Sequence, residues 1–233
     1  MNQMPSVIVF DVNETLSDMS PLGARFEQVG APASLARVWF AALLRDGFAL
    51  AAAGGTAGFS VIGAEILRGV LRGATLTRSL DEAVNHVMHG FATLSLHPDI
   101  ADGVQRLKHA GVRLVTFSNG SAQVAESLLT REGLRNEFEM LLTVEDAPAW
   151  KPVRSAYDYA ADACGVAPTD LLLVAVHPWD IHGAAQAGLR TAWLNRAGET
   201  YPGYFTAPDY TVTALGDLAS RLEHDLVRTT HED

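Results

Sequence analysis

Cysteine is nearly absent from this chain: Cys164 is the only one in 233 residues. One cysteine excludes an internal disulfide, and no CxxC spacing exists to seat a metal. Its place in the helical-looking stretch from Ala156 to Gly165 suits a buried structural thiol. Basic residues are scarce too. Seventeen Lys and Arg face 27 Asp and Glu, for a formal net charge of -10. Phosphate backbones need clustered cations, so no nucleic-acid partner is expected. Long apolar runs are missing as well. FALAAAGG stops at Gly54 and Gly55, too short to span a bilayer, so no membrane partner is expected. The opening MNQMPSVIVFDV has no basic stretch ahead of a long apolar run, unlike a signal peptide. These readings together predict a cytoplasmic protein. No internal repeat or low-complexity tract interrupts the chain, and the tail RTTHED is expected to fray.

Hydrophobic residues are plentiful, at 48%. That content supplies a sizeable core, or a core and a smaller second domain. Short β-branched runs alternate with helical stretches. Strands are expected at Ser6–Asp11, Arg113–Ser118, Met140–Glu145, Asp170–His177 and Arg190–Arg196, with a weak one starting at Tyr210. Continuous apolar strands between helices predict a parallel sheet covered on both faces. Right-handed crossovers should join them. Residues 17–96 break the alternation. They predict helices over Pro32–Leu50, Gly58–Leu71 and Leu80–Leu94, so a helical insert follows the first strand.

In such a sheet, ligands bind beyond the carboxyl ends of the strands. The polar residues there are Asp11, Ser118 with Asn119, Glu145 with Asp146, and His177 with Asp180. One of them alone would be a helix cap. Several strands ending this way, with Lys151 nearby, point to a site.

The strings VIVFDVNETL, FSNG at 117–120, Lys151-Pro152 and VAVHPWD at 174–180 follow one another in a telling order. In them the chain resembles the haloacid dehalogenase (HAD) superfamily over nearly its whole length. It is most similar to the type II L-2-haloacid dehalogenases: the SNG triplet, Tyr157 five residues after KP, and the WD pair carry that finer likeness. The resemblance implies an α/β fold, a doubly wound parallel sheet forming a HAD-like Rossmannoid core. That core would be residues 1–16 and 97–233, with residues 17–96 as a helical cap. It further implies metal-independent hydrolysis of small 2-haloalkanoic acids through an aspartyl ester. No metal or other cofactor is called for, and the expected partners are a small-molecule haloacid and a second copy of the chain in a homodimer.

Roles follow residue by residue from the same likeness. Asp11 would be the nucleophile, which must be ionised although partly desolvated. Thr15 would hold it, and the backbone from Val12 to Thr15 offers successive N–H groups as an anion nest. Lys151 would keep Asp11 ionised, and Tyr157 would brace the site. Ser118 and Asn119 would bind the substrate carboxylate, helped by the N-terminus of the next helix. Arg37 in SLARVW would face the leaving halide, together with Asn119 and with Arg45 as its nearest competitor, since a guanidinium stays charged and offers several donors. Asp180 would orient or deprotonate the hydrolytic water. Trp179 and Phe59 would line the pocket.

Two departures bear on the chemistry. Asn13 stands where related phosphatases carry an acid and dehalogenases a tyrosine. An amide cannot donate and recover a proton. Val176 stands where phosphatases carry a metal-binding aspartate, which leaves a Mg²⁺ site short of hard oxygen ligands. Both argue for displacement at carbon. His177 replaces the usual asparagine and puts an ionisable ring beside the nucleophile. The alternatives are another leaving group, such as a strained-ring amine or a phosphate ester, and a non-catalytic acid-binding protein.

Overall fold

The computed structural model describes residues 4–229, with side chains to Asp225. The last four residues of the tail expected to fray lie outside the described residues. Six parallel strands form the sheet: β1 (Val7–Phe10), β2 (Arg113–Ser118), β3 (Met140–Thr143), β4 (Leu171–Ala175), β5 (Arg190–Leu194) and β6 (Tyr210–Val212). Their spatial order is β3-β2-β1-β4-β5-β6. Strand β1 is wholly buried because both faces are covered. Val7 and Val9 enter one apolar cluster, Ile8 and Phe10 the other, as period-two alternation requires.

The helices that cover the sheet are α5 (Ile100–His109), α6 (Ala122–Arg131), α7 (Arg154–Cys164), α8 (Pro178–Ala187) and α9 (Leu215–Thr229). Helices α7 and α8 each stop at a glycine in the left-handed conformation, Gly165 (φ +67°) and Gly188 (φ +93°). From β1 the chain steps outward through β2 to β3, then returns across β1 to β4. The topological switch point therefore lies at the carboxyl ends of β1 and β4.

Between β1 and α5 come four helices: α1 (Leu22–Glu27), α2 (Leu35–Ala52), α3 (Phe59–Leu71) and α4 (Leu80–Ala92). The sequence pattern missed α1, whose single apolar turn, Leu22 and Phe26, is too short to show a period. Helix α4 opens with a capping box, Ser79 with Glu82. The two connections to this four-helix segment meet at an antiparallel bridge between Ser17 and Leu96. Asp18 donates to Ser95 O at 2.8 Å, and His97 to Leu16 O at 2.9 Å. Trp39, Leu43, Phe59, Val87 and Phe91 of the segment share one apolar cluster with the underside of the sheet. Among the described residues no helix is long and apolar enough to cross a membrane.

Candidate active site

Asp11 is the first residue past β1, and its N–H extends the ladder to Val174 O at 3.0 Å. The residue is 3% exposed. A buried carboxylate costs several kcal/mol unless cations and donors meet it. Here they do. Lys151 Nζ donates to Oδ1 at 3.0 Å. Thr15 donates its hydroxyl to Oδ2 at 2.7 Å, and accepts from Val176 N–H at 3.1 Å. His177 Nδ1–H reaches Oδ2 at 3.2 Å. Burial works against ionisation of Asp11, but Lys151 and His177 outweigh it and hold the carboxyl well below the usual range.

Lys151 is fully buried, and its ammonium joins two carboxylates, with Asp180 Oδ2 at 2.6 Å. Burial opposes that charge, yet Asp11 and Asp180 raise the pKa above its ordinary value. Asp180 is itself raised, by burial and by the nearby charge of Asp11, against the pull of Lys151. Tyr157 donates to Asp180 Oδ1 at 2.6 Å, and burial pushes its phenol well up. Both oxygens of Asp180 are thus engaged away from bulk solvent.

His177 is not a strand end. It is the residue before α8, where β4 has already stopped at Ala175. Its other nitrogen, Nε2, meets Glu14 Oε2 at 2.8 Å. Burial would lower its pKa, but Asp11 and Glu14 raise it to about 9. The ring is therefore an imidazolium at neutral pH, donating from both nitrogens. Glu14 was not singled out from the sequence. Its backbone is left-handed (φ +62°), unusual for a non-glycine residue, and its carbonyl is held by His97 Nε2 at 3.0 Å. A charged residue inside the loop between Asp11 and Thr15 was the one signal available.

The other expected residues fall into place with different neighbours. Asn119 is spent on the backbone of Lys151: Oδ1 accepts from Lys151 N–H at 3.0 Å, and Nδ2 donates to Lys151 O at 3.1 Å. Ser118 Oγ accepts from Gly120 N–H at 2.9 Å, leaving its own proton to give. Asn13 is 6% exposed and its amide has no partner among the described residues. A Cβ on Gly120 would lie 3.2 Å from Ser118 Oγ and 3.4 Å from Asn13 Nδ2, so the glycine keeps open the space between them. Val12 turns its side chain into the apolar cluster of Ile8 and Phe10, on the face of the sheet away from the four-helix segment, so only its backbone belongs to the loop. Phe59 stacks between Phe91 and Trp150 in a buried aromatic seam. Trp179 stacks on His177 at 5.1 Å, meets Phe48 of α2 edge-on at 4.9 Å, and lies 6.0 Å from Lys151 Nζ. Glu145 and Asp146 are exposed and do not converge on Asp11.

A cleft of about 1020 Å³ runs between α1, α2 and the carboxyl ends of the strands. Glu14, His177, Phe40 and Arg37 line it. Arg37 is exposed there and has no ion-pair partner among the described residues, whereas Arg45 pairs with Asp46 outside the cleft. Among the described residues no group of three or more His, Cys, Asp or Glu is placed to hold a metal ion.

A parallel sheet that sets an ionised aspartate past its first strand, with a lysine and a second aspartate around it, has the architecture of an α/β hydrolase. The chain belongs to the haloacid dehalogenase-like hydrolase family, whose model matches residues 5–188. It is similar to (S)-2-haloacid dehalogenase 4A of Burkholderia cepacia, 30% identical over 90% of this chain and 91% of that protein. With the (S)-2-haloacid dehalogenase of Pseudomonas sp. (strain YL) it shares 34% identity over 57% of its residues, and spans just over half of that protein, 58%. The crystal structure of an L-2-haloacid dehalogenase superposes with a TM-score of 0.88 at 26% identity, covering 95% of this chain and all of the other.

Proposed function

We propose that this chain hydrolyses the carbon–halogen bond of small 2-haloalkanoic acids through an ester on Asp11, without a metal cofactor. One observation carries the reading: a buried carboxylate kept ionised by an ammonium and an imidazolium. Each carboxylate oxygen can accept about two hydrogen bonds. Oδ2 accepts from Thr15 and His177, but Oδ1 only from Lys151. Oδ1 therefore keeps the free lone pair and attacks C2 from the side opposite the halogen. The C2–halogen bond breaks, halide leaves with its electron pair, and C2 inverts. Arg37 receives the halide. Ser118 hydroxyl and the Asn13 amide hold the substrate carboxylate. The helical segment, residues 17–96, acts as a cap that excludes bulk water.

The second step is prepared by the first. The ester on Asp11 carries no charge, so His177 loses one of the two anions that hold its proton. Its pKa falls, and the proton leaves through the cleft that His177 lines. The neutral ring, still held by Glu14, then takes a proton from the water that attacks Asp11 Cγ. The Cγ–Oδ1 bond breaks, the second proton of that water passes to the departing alkoxide, the 2-hydroxy acid leaves with Oδ1, and the carboxylate and imidazolium are restored. One proton and one halide are released per turnover. Asp180 acts by holding Lys151 rather than by meeting the water. Asn13 and Val176, in place of an acid and a metal ligand, favour displacement at carbon over phosphoryl transfer.

The test is halide release from chloroacetate, fluoroacetate and L-2-chloropropionate with EDTA present. Release in EDTA that disappears in Asp11→Ala supports the reading. Release of phosphate from an ester, dependent on Mg²⁺, overturns it. We place the protein in the cytoplasm as a homodimer. The buried free thiol of Cys164 suits a reducing compartment, and exposed Val38, Leu50 and Val61 on α2 and α3 supply apolar area for a second copy. Light scattering checks the mass in solution.

A further inference from the structure

The cap and the nucleophile's cation are joined by one side chain that the chemistry above does not use. Trp150 precedes Lys151 and is 2% exposed. Its six-membered ring lies against the backbone of α2 at Gly47. A Cβ placed on Gly47 would come within 2.3, 2.6 and 2.9 Å of three atoms of that ring. Contacts that short do not occur, so any side chain at 47 must move the indole. On its other side the indole stacks on Phe59 of α3, centroids 6.2 Å apart and planes 12° from parallel. Phe59 in turn stacks on Phe91 of α4 at 5.2 Å.

The peptide that follows is gripped from the core as well. Asn119 holds both the N–H and the carbonyl of Lys151. Residue 150 is thus set by the four-helix segment and residue 151 by the sheet, and the ammonium reaches Asp11 and Asp180 from their junction. We propose that Gly47 and Trp150 form a latch through which the cap positions the Lys151 ammonium against Asp11. Both are positioning residues. Closing the cap and delivering the cation become one event, because Trp150 is covered only when α2 and α3 lie over it. The latch rests on Asp11 and Lys151 acting together in the proposed reaction, but its geometry can be tested without turnover.

The chain makes that test clean, since Lys108 and Lys151 are its only lysines. Reductive dimethylation with formaldehyde, read by mass spectrometry, reports the access of Lys151 relative to Lys108. Parent protein should label at Lys108 and scarcely at Lys151. Gly47→Ala should raise relative labelling of Lys151 by about tenfold, since displacing a buried ion-pair partner by a fraction of an ångström opens its shell. Trp150→Phe removes the atoms that meet the new methyl, so the double variant Gly47→Ala/Trp150→Phe should return most of the way to the parent. Val87→Ala, a cavity in the cap core that leaves the Gly47–Trp150 contact itself intact, should leave labelling unchanged despite its cost in stability. In turnover, Gly47→Ala should lower kcat with KM held within about twofold, and move the acid limb of kcat/KM to higher pH. Equal labelling in Gly47→Ala and parent overturns the latch. So does an equal rise in Val87→Ala, or no recovery in the double variant. A labelling pattern as expected in a protein that releases no halide would retain the latch and reject the proposed reaction.

Discussion

A positive charge beside a buried carboxylate both keeps it ionised and restrains it, and two such charges meet Asp11. Lys151 and His177 each donate to one of its oxygens. Lys151→Met removes the cation shared with Asp180 and leaves two buried carboxylates facing each other. Their repulsion should return a proton to one of them, so the acid limb of kcat/KM moves to higher pH, with kcat lower by at least about 100-fold. Glu14→Gln acts on the other side. The imidazolium loses one of its two anions, and its pKa falls from about 9. NMR titration of the His177 ring should show the drop directly. A ring that titrates unchanged in Glu14→Gln would remove Glu14 from the mechanism.

Helices in this protein place chemistry as much as they cover the sheet. Helix α8 carries Asp180 in its first turn and Gly183 one turn later. A Cβ on Gly183 would lie 2.6 Å from both Tyr157 Oη and Pro152 Cβ. Gly183→Ala should therefore push Tyr157 off Asp180. The overpacking should cost about 1–3 kcal/mol in urea unfolding, with a fall in kcat larger than the change in KM. Ser79→Ala offers a contrast. It removes the capping box of α4, whose residues make no contact with Asp11 among the hydrogen bonds of the site, and should cost about 1 kcal/mol with kcat unchanged. The element boundaries were largely readable beforehand, because strands buried on both faces are apolar throughout and helices end at glycines. Helix α1 was not, since one turn of amphipathic sequence carries no period.

For the whole molecule, the site makes stability depend on pH with a definite sign. His177 rises from an ordinary 6.5 to about 9 in the folded protein. A raised pKa means the folded state binds the proton more tightly. The resulting stabilisation is fully present below about pH 6.5 and is lost as pH climbs through 9. Over that window it amounts to roughly 3 kcal/mol. Urea unfolding of the parent should weaken by that order between pH 6.5 and 9.5, and the His177→Asn variant should lack the decline. Asp11 contributes in the opposite direction at the acid end. Its depressed pKa gives stability present above the ordinary carboxylate range and lost as the pH falls through the lower folded value. The two limbs enclose a stable plateau on the acid side of neutrality, above the ordinary carboxylate range and below about pH 6.5.

What the chain declares by itself is local: where strands stop, and which polar residues stand there. Thr15 and Tyr157 come with the family resemblance, but Asp11, Ser118, Lys151 and Asp180 stand out in that way. Each sits next to an apolar run or a Lys-Pro step, and position relative to a strand end is a property of nearby sequence. The parallel sheet follows from the same evidence, as apolar strands buried on both faces can pair in few other ways. Partnership between distant residues is different. That Asn119 grips the backbone of Lys151, that Glu14 charges His177, and that Gly47 makes room for Trp150 are contacts across 32, 163 and 103 residues of chain. Phe59 and Arg37 share that limit, since which face of a cap helix meets the core depends on how the helices pack. Side-chain periodicity selects the face that is buried, but only the closed tertiary structure selects what it is buried against.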